Sequence, residues 1–326
     1  MYQRERICIF SKEYCKNFLG GIELIYTVTF NPSIDYIIRL DKFTAGAINR
    51  VNYEQVLGGG KGVNVSIVLG NFGQPTTALG FVAGFTGAEL CRQLDGFGAK
   101  HSFVMLPKGF SRINVKAKAD VETEINGQGP DIPEQYRDEL FKQVENDLKE
   151  GDTIVVAGSI PKTLPSDMYE QLLSHVPAGV KIVVDAEKDL LLKCLKFKPF
   201  LIKPNNHELG AMFGVSIPGT DTEKIAKYAK RLQEQGAQNV LVSLAGDGAF
   251  LLDEKGQQHS SKPPKGKLVN SVGAGDSMVA GFLTGYIESN GDCATAFKMG
   301  LATGSASAFS ENLATRSEVE ALLKTF

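Results

Sequence analysis

From Leu24 onward the chain alternates short apolar runs with longer segments of helical periodicity, and the alternation is regular enough to predict secondary structure. Runs rich in Val, Ile and Thr, bounded by Gly, Pro or Asn, predict strands over 24–30, 76–82, 102–106, 153–157, 180–184, 199–203 and 239–243. Apolar residues recurring every three to four positions predict helices over 61–72, 86–97, 133–149, 166–175, 205–213, 221–235, 274–289, 292–308 and 315–325. Strand and helix in turn imply a mostly parallel sheet with helices on both faces, an α/β sandwich. Two regions break the alternation. Residues 36–56 and 112–126 read as paired β segments with no helix between them. In Ile113 to Ala119 a period of two puts Ile113, Val115, Ala117 and Ala119 on one face and Asn114, Lys116 and Lys118 on the other. These segments are expected to form a small β lid over one edge of the body, its apolar face free to pack on the same lid of a second subunit as a homodimer.

The domain so defined runs from 24 to 326. Residues 1–23 mix charged and apolar positions without the apolar core of a signal peptide. They are expected to be an extension outside the fold, with Leu24 the natural start, encoded by a TTG codon behind a purine-rich Gly-Gly-Ile-Glu stretch. Retention of Met1 in protein from the native locus would contradict that reading.

Composition changes the picture little. The chain has 326 residues, 43% apolar, with 35 basic against 37 acidic side chains. No basic excess suggests nucleic acid, so a small anionic substrate must be met by individually placed cations. No apolar run approaches the roughly 20 residues that span a bilayer. Five widely spaced cysteines form no C-x-x-C pair and read as reduced thiols of a cytoplasmic protein. The four histidines have neither metal-ligand spacing nor a nucleophile context, which disfavours zinc sites and hydrolase triads.

Chemistry concentrates at strand-to-helix junctions. In Asn270-Ser271-Val272-Gly273-Ala274-Gly275-Asp276-Ser277 two glycines flank an alanine ahead of an apolar helix, with Lys267-Leu268-Val269 read as a preceding strand. The N–H groups of Gly273, Ala274, Gly275 and Asp276 at a helix start suit an anion whose charge is spreading over phosphoryl oxygens. Asp276 could accept a proton from an attacking hydroxyl, or simply cap the helix. Asp35, in Asn31-Pro32-Ser33-Ile34-Asp35, lies just beyond the first strand, where open α/β sheets place ligands; a turn Asp is the competing reading. Gly58-Gly59-Gly60-Lys61-Gly62-Val63-Asn64-Val65 is a glycine turn into a helix, with Gly60, Lys61 and Asn64 suited to a phosphate or hydroxyl. It is no P-loop, because Gly62 stands where that loop needs Ser or Thr, and no complete dinucleotide-binding glycine pattern follows a strand.

Ser159 lies in the Gly-Ser turn that follows the 153–157 strand, its hydroxyl at the sheet's upper edge. Lys203 ends the 199–203 strand, where it could face nucleotide phosphates, and Asn205 and Glu208 begin the 205–213 helix, where they could hold the hydration shell of Mg2+ or form a capping box. Ser243, Leu244, Ala245, Gly246, Asp247 and Gly248 form a glycine turn that could approach a nucleotide.

Each motif is weak alone, but the ordered set N-P-S-I-D, G-G-G-K-G-V-N-V, S-R-I-N-V-K, A-G-S-I-P, K-P-N-N-H-E, S-L-A-G-D-G and N-S-V-G-A-G-D-S resembles the PfkB (ribokinase-like) carbohydrate kinases across 24–326. The resemblance implies a helix-sandwiched sheet with a β lid and ATP-dependent phosphorylation of a sugar phosphate. It is nearest to members acting on the 6-hydroxyl of fructose 1-phosphate, with tagatose-6-phosphate kinases as near relatives. It implies Asp276 as catalytic base and 273–276 as anion hole. It further implies Asp35, Gly60, Lys61 and Asn64 as sugar contacts, Arg112 and Ser159 as holders of the substrate phosphate, Lys203, Asn205 and Glu208 as the metal and phosphate motif, and 243–248 as the nucleotide loop. Asn114, Lys116 and Arg50 join the candidates from face and charge alone. A non-catalytic sugar-phosphate sensor is the contrasting reading, and Asp276 counts against it, since a sensor needs no base. A free-sugar or nucleoside kinase would leave Lys61 and Arg112 without a phosphate partner.

Overall fold

A computed structural model describes residues 23–326, so the expected N-terminal extension lies, but for Glu23, outside the described residues. The body is one ten-stranded sheet. Its central, parallel part comprises β1 (Ile25–Thr29), β4 (Thr76–Ala83), β5 (Lys100–His101), β6 (Val104–Leu106), β9 (Thr153–Ala157), β10 (Lys181–Asp185), β11 (Leu201–Ile202) and β12 (Asn239–Ser243). The antiparallel strands β13 (Ala249–Leu252) and β14 (Gln258–Ser261) extend one edge, giving the order β14-β13-β12-β11-β10-β9-β1-β4-β5, with β6 also paired to β4.

Strand parity assigns the two faces. Ile154 and Val156 of β9 join one apolar cluster and Val155 the other. The first face is covered by α3 (Glu134–Asp147), α4 (Met168–Ser174), α5 (Lys188–Cys194), α6 (Asn206–Met212) and α7 (Thr222–Glu234), through residues such as Leu140, Leu172, Leu191, Leu209 and Leu232. The second is covered by α1 (Lys61–Asn71), α8 (Ala274–Glu288), α9 (Cys293–Ala308) and α10 (Arg316–Leu323), through Val65, Phe282, Leu301 and Val319. With α2 (Gly84–Gly96) beside the lid, this is the sandwich expected from the alternation. Fully buried Leu and Val side chains on both faces are each worth about 1.5–3 kcal/mol relative to exposure.

The lid is a separate four-stranded sheet in the order β3-β2-β7-β8, built from β2 (Ser33–Arg39), β3 (Tyr53–Gly59), β7 (Arg112–Lys118) and β8 (Thr123–Asn126). Asp35 therefore sits inside a lid strand, opposite Leu57 and Asn114, and not in a turn after β1. The turn is Phe30–Pro32.

Other departures have local causes. Lys267–Val269 is a loop: its apolar residues face no strand, and the N–H groups of Val269 and Asn270 bond the carbonyl of Ala308 instead. The 199–203 strand shrinks to Leu201–Ile202 because Pro199 and Pro204 bracket it and lack donors. Helix α5 and strand β14 are additions; β14, Gln-His-Ser-Ser, is polar because it is the sheet's edge.

Candidate active site

The carboxyl ends of β1, β9, β10, β11 and β12 open into one cleft of about 1140 Å³, roofed by the lid. Its lining includes Asp35, Gly60, Lys61, Asn64, Arg112, Asn114, Lys116, Ser159, Lys203, Asn205, Glu208, Ser243, Ala245, Gly246, Gly248 and the whole Gly273–Asp276 corner. Residues separated by up to about 240 positions in sequence thus share one cavity, some from the carboxyl ends of sheet strands, some from lid strands and some from the start of α8.

The corner is built as its glycines demand. Gly273 caps α8 at φ 77°, a left-handed conformation that a side chain would strain. Asp276 follows in the first turn of α8 and is buried. Asn64, one turn into α1, donates from Nδ2 to Asp276 Oδ2 at 2.8 Å. Burial, followed by the nearby negative charge of Asp185, pushes the Asp276 carboxyl up to about 6, against the opposing pull of Asn64, Lys61 and Lys203. A carboxylate so placed is a proton acceptor near neutral pH.

Lys61 lines the cleft and is paired within the protein. Its Nζ lies 2.9 Å from Asp185 Oδ1, while Lys203 Nζ lies 3.2 Å from Asp185 Oδ2, so one fully buried carboxylate bridges the two lysines. Burial would raise the Asp185 pKa, but Lys203 and Lys61 outweigh it and hold it below the ordinary carboxylate range. The carboxylate in turn drives the Lys61 pKa up despite desolvation. Lys61 is thus held charged, and both lysines are oriented on one counter-ion, before any ligand arrives. Sequence reading missed Asp185. Its signal was available: it ends the run Ile182-Val183-Val184, level with Ala157 on the neighbouring strand.

On the lid, Asp35 Oδ1 accepts hydrogen bonds from Ser33 Oγ at 2.8 Å and Asn114 Nδ2 at 2.9 Å, which leaves Oδ2 for another donor. Asn114 is buried, and its Oδ1 has no partner among the described residues. Such an atom is costly unless a ligand hydroxyl completes it. Arg112 Nε donates to the Asn31 carbonyl at 3.0 Å, and among the described residues no carboxylate lies within ion-pair distance of its guanidinium. Burial lowers its pKa, with Asp35 opposing. Lys116 lines the cleft but is neutralised by Glu124 at 2.7 Å. Arg50 lies exposed in the loop between β2 and β3, away from the cleft lining. Ser159 is exposed at the rim.

Toward the other end, Asn205 caps α6 and forms a complete capping box with Glu208: Glu208 N–H donates to Asn205 Oδ1, and Asn205 N–H to Glu208 Oε2, both at 2.8 Å. Capping leaves Glu208 Oε1 free among the described residues. The 243–248 loop is a tight turn between antiparallel strands, and its side chains diverge. Ser243, Ala245, Gly246 and Gly248 line the cleft, whereas Leu244 is buried in the core and Asp247 packs its carboxylate toward Gly219. Leu244 and Asp247 are therefore not cleft residues. Sequence reading also missed Lys262–Gly266, which lines the cleft beside this turn.

A lidded α/β cleft with an anion corner, a buried carboxylate and positioned lysines is the apparatus of a phosphotransferase acting on a small alcohol. The chain belongs to the PfkB family of carbohydrate kinases, whose signature matches residues 28–320. It is 48% identical over 301 residues to the 1-phosphofructokinase of Bacillus subtilis, covering 92% of this chain and 97% of that one. It is 36% identical over 299 residues to the D-tagatose-1-phosphate kinase of Bacillus licheniformis, covering 91% and 96%. The fold matches phosphofructokinase-2 from Escherichia coli in complex with substrates and products, with a TM-score of 0.85 and 25% identity over 92% of this chain and 98% of that one.

Proposed function

We propose that this protein transfers the γ-phosphoryl group of ATP to the 6-hydroxyl of fructose 1-phosphate, giving fructose 1,6-bisphosphate and ADP. The observation that carries the chemistry is the buried Asp276 at the first turn of α8, in one cavity with Arg112 and Asp35. The similarity to 1-phosphofructokinase singles out the sugar.

Arg112, unpaired with any carboxylate among the described residues, takes the 1-phosphate with Ser159 at the rim. Asp35 and Asn114 accept hydrogen bonds from sugar hydroxyls. The 6-hydroxyl then faces Asp276. As its oxygen forms a bond to the γ-phosphorus, the bond from that phosphorus to the β–γ bridging oxygen breaks and ADP leaves. The hydroxyl proton passes to Asp276. The transition state is loose, so the proton need move only late and a carboxylate of modest basicity suffices. The N–H groups of Gly273, Gly275 and Asp276 and the ammonium groups of Lys61 and Lys203 stabilise the transferring phosphoryl oxygens, whereas the N–H of Ala274 is donated to the Ser271 carbonyl. Ser243, Ala245, Gly246 and Gly248 offer backbone and small side chains to the nucleotide.

The free Oε1 of Glu208 and the buried Asp185 beside the lysines fit Mg2+, a cation that keeps several waters and takes one or two carboxylates plus phosphate oxygens. Bound there, the ion would neutralise phosphate charge.

The lid's face away from the cleft carries a row across all four strands, Val56, Tyr36, Val115 and Ile125, with Val56 and Ile125 exposed. This apolar strip supports a homodimer joined lid to lid.

The test is product identification after incubation with ATP and, separately, fructose 1-phosphate, tagatose 1-phosphate and tagatose 6-phosphate. Fructose 1,6-bisphosphate formed with the highest kcat/KM supports the reading. Preference for either tagatose ester would replace the substrate, and sugar-independent ADP release alone would remove the kinase assignment.

A further inference from the structure

The segment between α9 and α10, residues 310–315, touches the lid, α1 and the anion corner at once. On the lid side, Arg39 Nη2 pairs with Glu311 Oε1 at 2.8 Å, its guanidinium stacked over the Tyr53 ring at 4.6 Å, and Gln55 Nε2 donates to Asn312 Oδ1 at 3.2 Å. On the corner side, Leu313 packs against Gly273: a methyl group added to that glycine would lie 2.6 Å from Leu313 Cδ2. Its neighbour Ala314 donates its N–H to Ser307 Oγ at 2.8 Å. Ser307 Oγ donates to Ser277 Oγ at 2.7 Å, next to Asp276. Asn71, at the end of the helix that bears Lys61 and Asn64, donates to the Ala314 carbonyl at 3.0 Å.

We propose that Glu311, Asn312 and Leu313 are positioning residues that relay lid docking to the Gly273–Asp276 corner. The inference rests on the corner being the phosphoryl site. Two features make a relay out of a set of contacts. The lid-side contacts are polar and exposed, Arg39 and Glu311 each being more than two-fifths exposed, so they are individually weak and can break when the lid lifts. The corner-side contact is half-buried but close-packed, with Leu313 set against the core clusters beside Gly273, so a shift of Leu313 is transmitted to Gly273 rather than absorbed. Gly273 in turn sets the direction of the N–H groups that follow it. A docked lid thereby assembles the corner, and an open lid lets it relax. Discrimination between sugar phosphate and water as acceptor follows, because the corner is complete only beneath a closed lid.

The experiment is a kinetic double-mutant cycle on Arg39→Gln and Leu313→Ala, with Leu313→Met as the volume-conserving control. Both polar partners are on the surface, so Arg39→Gln folds whatever its effect on catalysis. The relay predicts that Arg39→Gln lowers kcat at saturating substrates by about threefold or more. Leu313→Ala should lower kcat at least as far, with Leu313→Met restoring it. The double variant should be no worse than Leu313→Ala alone, because the relay is already cut. If Arg39→Gln raises only the sugar-phosphate KM and leaves kcat intact, or if the two effects multiply, the segment is a plain lid latch and the relay is overturned. Wild-type protein assayed in parallel separates the two levels: lack of turnover on fructose 1-phosphate there would refute the kinase reading, not the relay.

Discussion

Asn64 donates a hydrogen bond from Nδ2 to Oδ2 of Asp276 at 2.8 Å, joining the first turn of α1 to the first turn of α8 across the floor of the cleft. The bond fixes the carboxylate's rotamer and favours its ionised form against the burial that opposes it. Two glycine-led helix starts, remote in sequence, are thereby held in one register at the floor of the cleft.

This bond gives a pH prediction. Asp276 must be ionised to accept a proton, and its carboxyl stands at about 6, so kcat/KM should fall with unit slope below about pH 6. Asn64→Ala removes a donor that stabilises the anion, which raises the pKa and moves the acid limb to higher pH. An acid limb unmoved, or moved downward, would contradict the pairing. The same raised pKa makes the folded state bind its proton more tightly than the unfolded chain. Its stabilising contribution is full below about pH 3.9 and is lost as pH rises through about 6.

Asp185 is the shared counter-ion of Lys61 and Lys203. Asp185→Asn should leave the buried Lys203 unpaired and destabilise the fold by about 3–5 kcal/mol. It should also lower the Asp276 pKa, since a neighbouring negative charge is removed. Thermal unfolding and the kcat/KM profile measure the two effects, and an unchanged melting temperature would show that the lysines are not held as described.

Among the described residues no carboxylate is paired with Arg112. Arg112→Ala should raise the KM for fructose 1-phosphate about tenfold or more, with the KM for ATP little changed, because a charge-assisted bidentate contact is lost. Equal weakening of both substrates would place Arg112 outside the sugar-phosphate site.

The lid strip of Val56, Tyr36, Val115 and Ile125 should hold two subunits together. Ile125→Glu puts a charge into that strip and should convert a dimer to monomer in sedimentation analysis. A wild-type protein that sediments as a monomer at micromolar concentration would rule out this interface.

Much of this was legible before the fold was known, and the reasons are local. The strand Thr153–Ala157 and the lid strand Arg112–Lys118 announce themselves by β-branched composition or strict alternation. The Gly273 and Gly60 turns are read from glycines that only a left-handed or crowded backbone requires. Other features depend on partners the local sequence does not reveal. Lys267-Leu268-Val269 has strand composition but no neighbouring edge to pair with. Asp185 looks like any residue ending a buried strand until Lys61 and Lys203 arrive from two other segments. Leu244 and Asp247 share a motif with true cleft residues, yet the turn directs one into the core and the other toward Gly219. Asn205 and Glu208 spend two of their oxygens on each other, a choice that spacing alone leaves open.

The central claim is that Asp276 accepts the proton of the attacking 6-hydroxyl. Steady-state turnover of fructose 1-phosphate by Asp276→Asn, beside a melting curve and an ATP-binding isotherm, tests it most directly. The near-isosteric amide should keep the fold and the nucleotide affinity while kcat falls by about a hundredfold or more. Turnover within a few-fold of wild type would contradict the account.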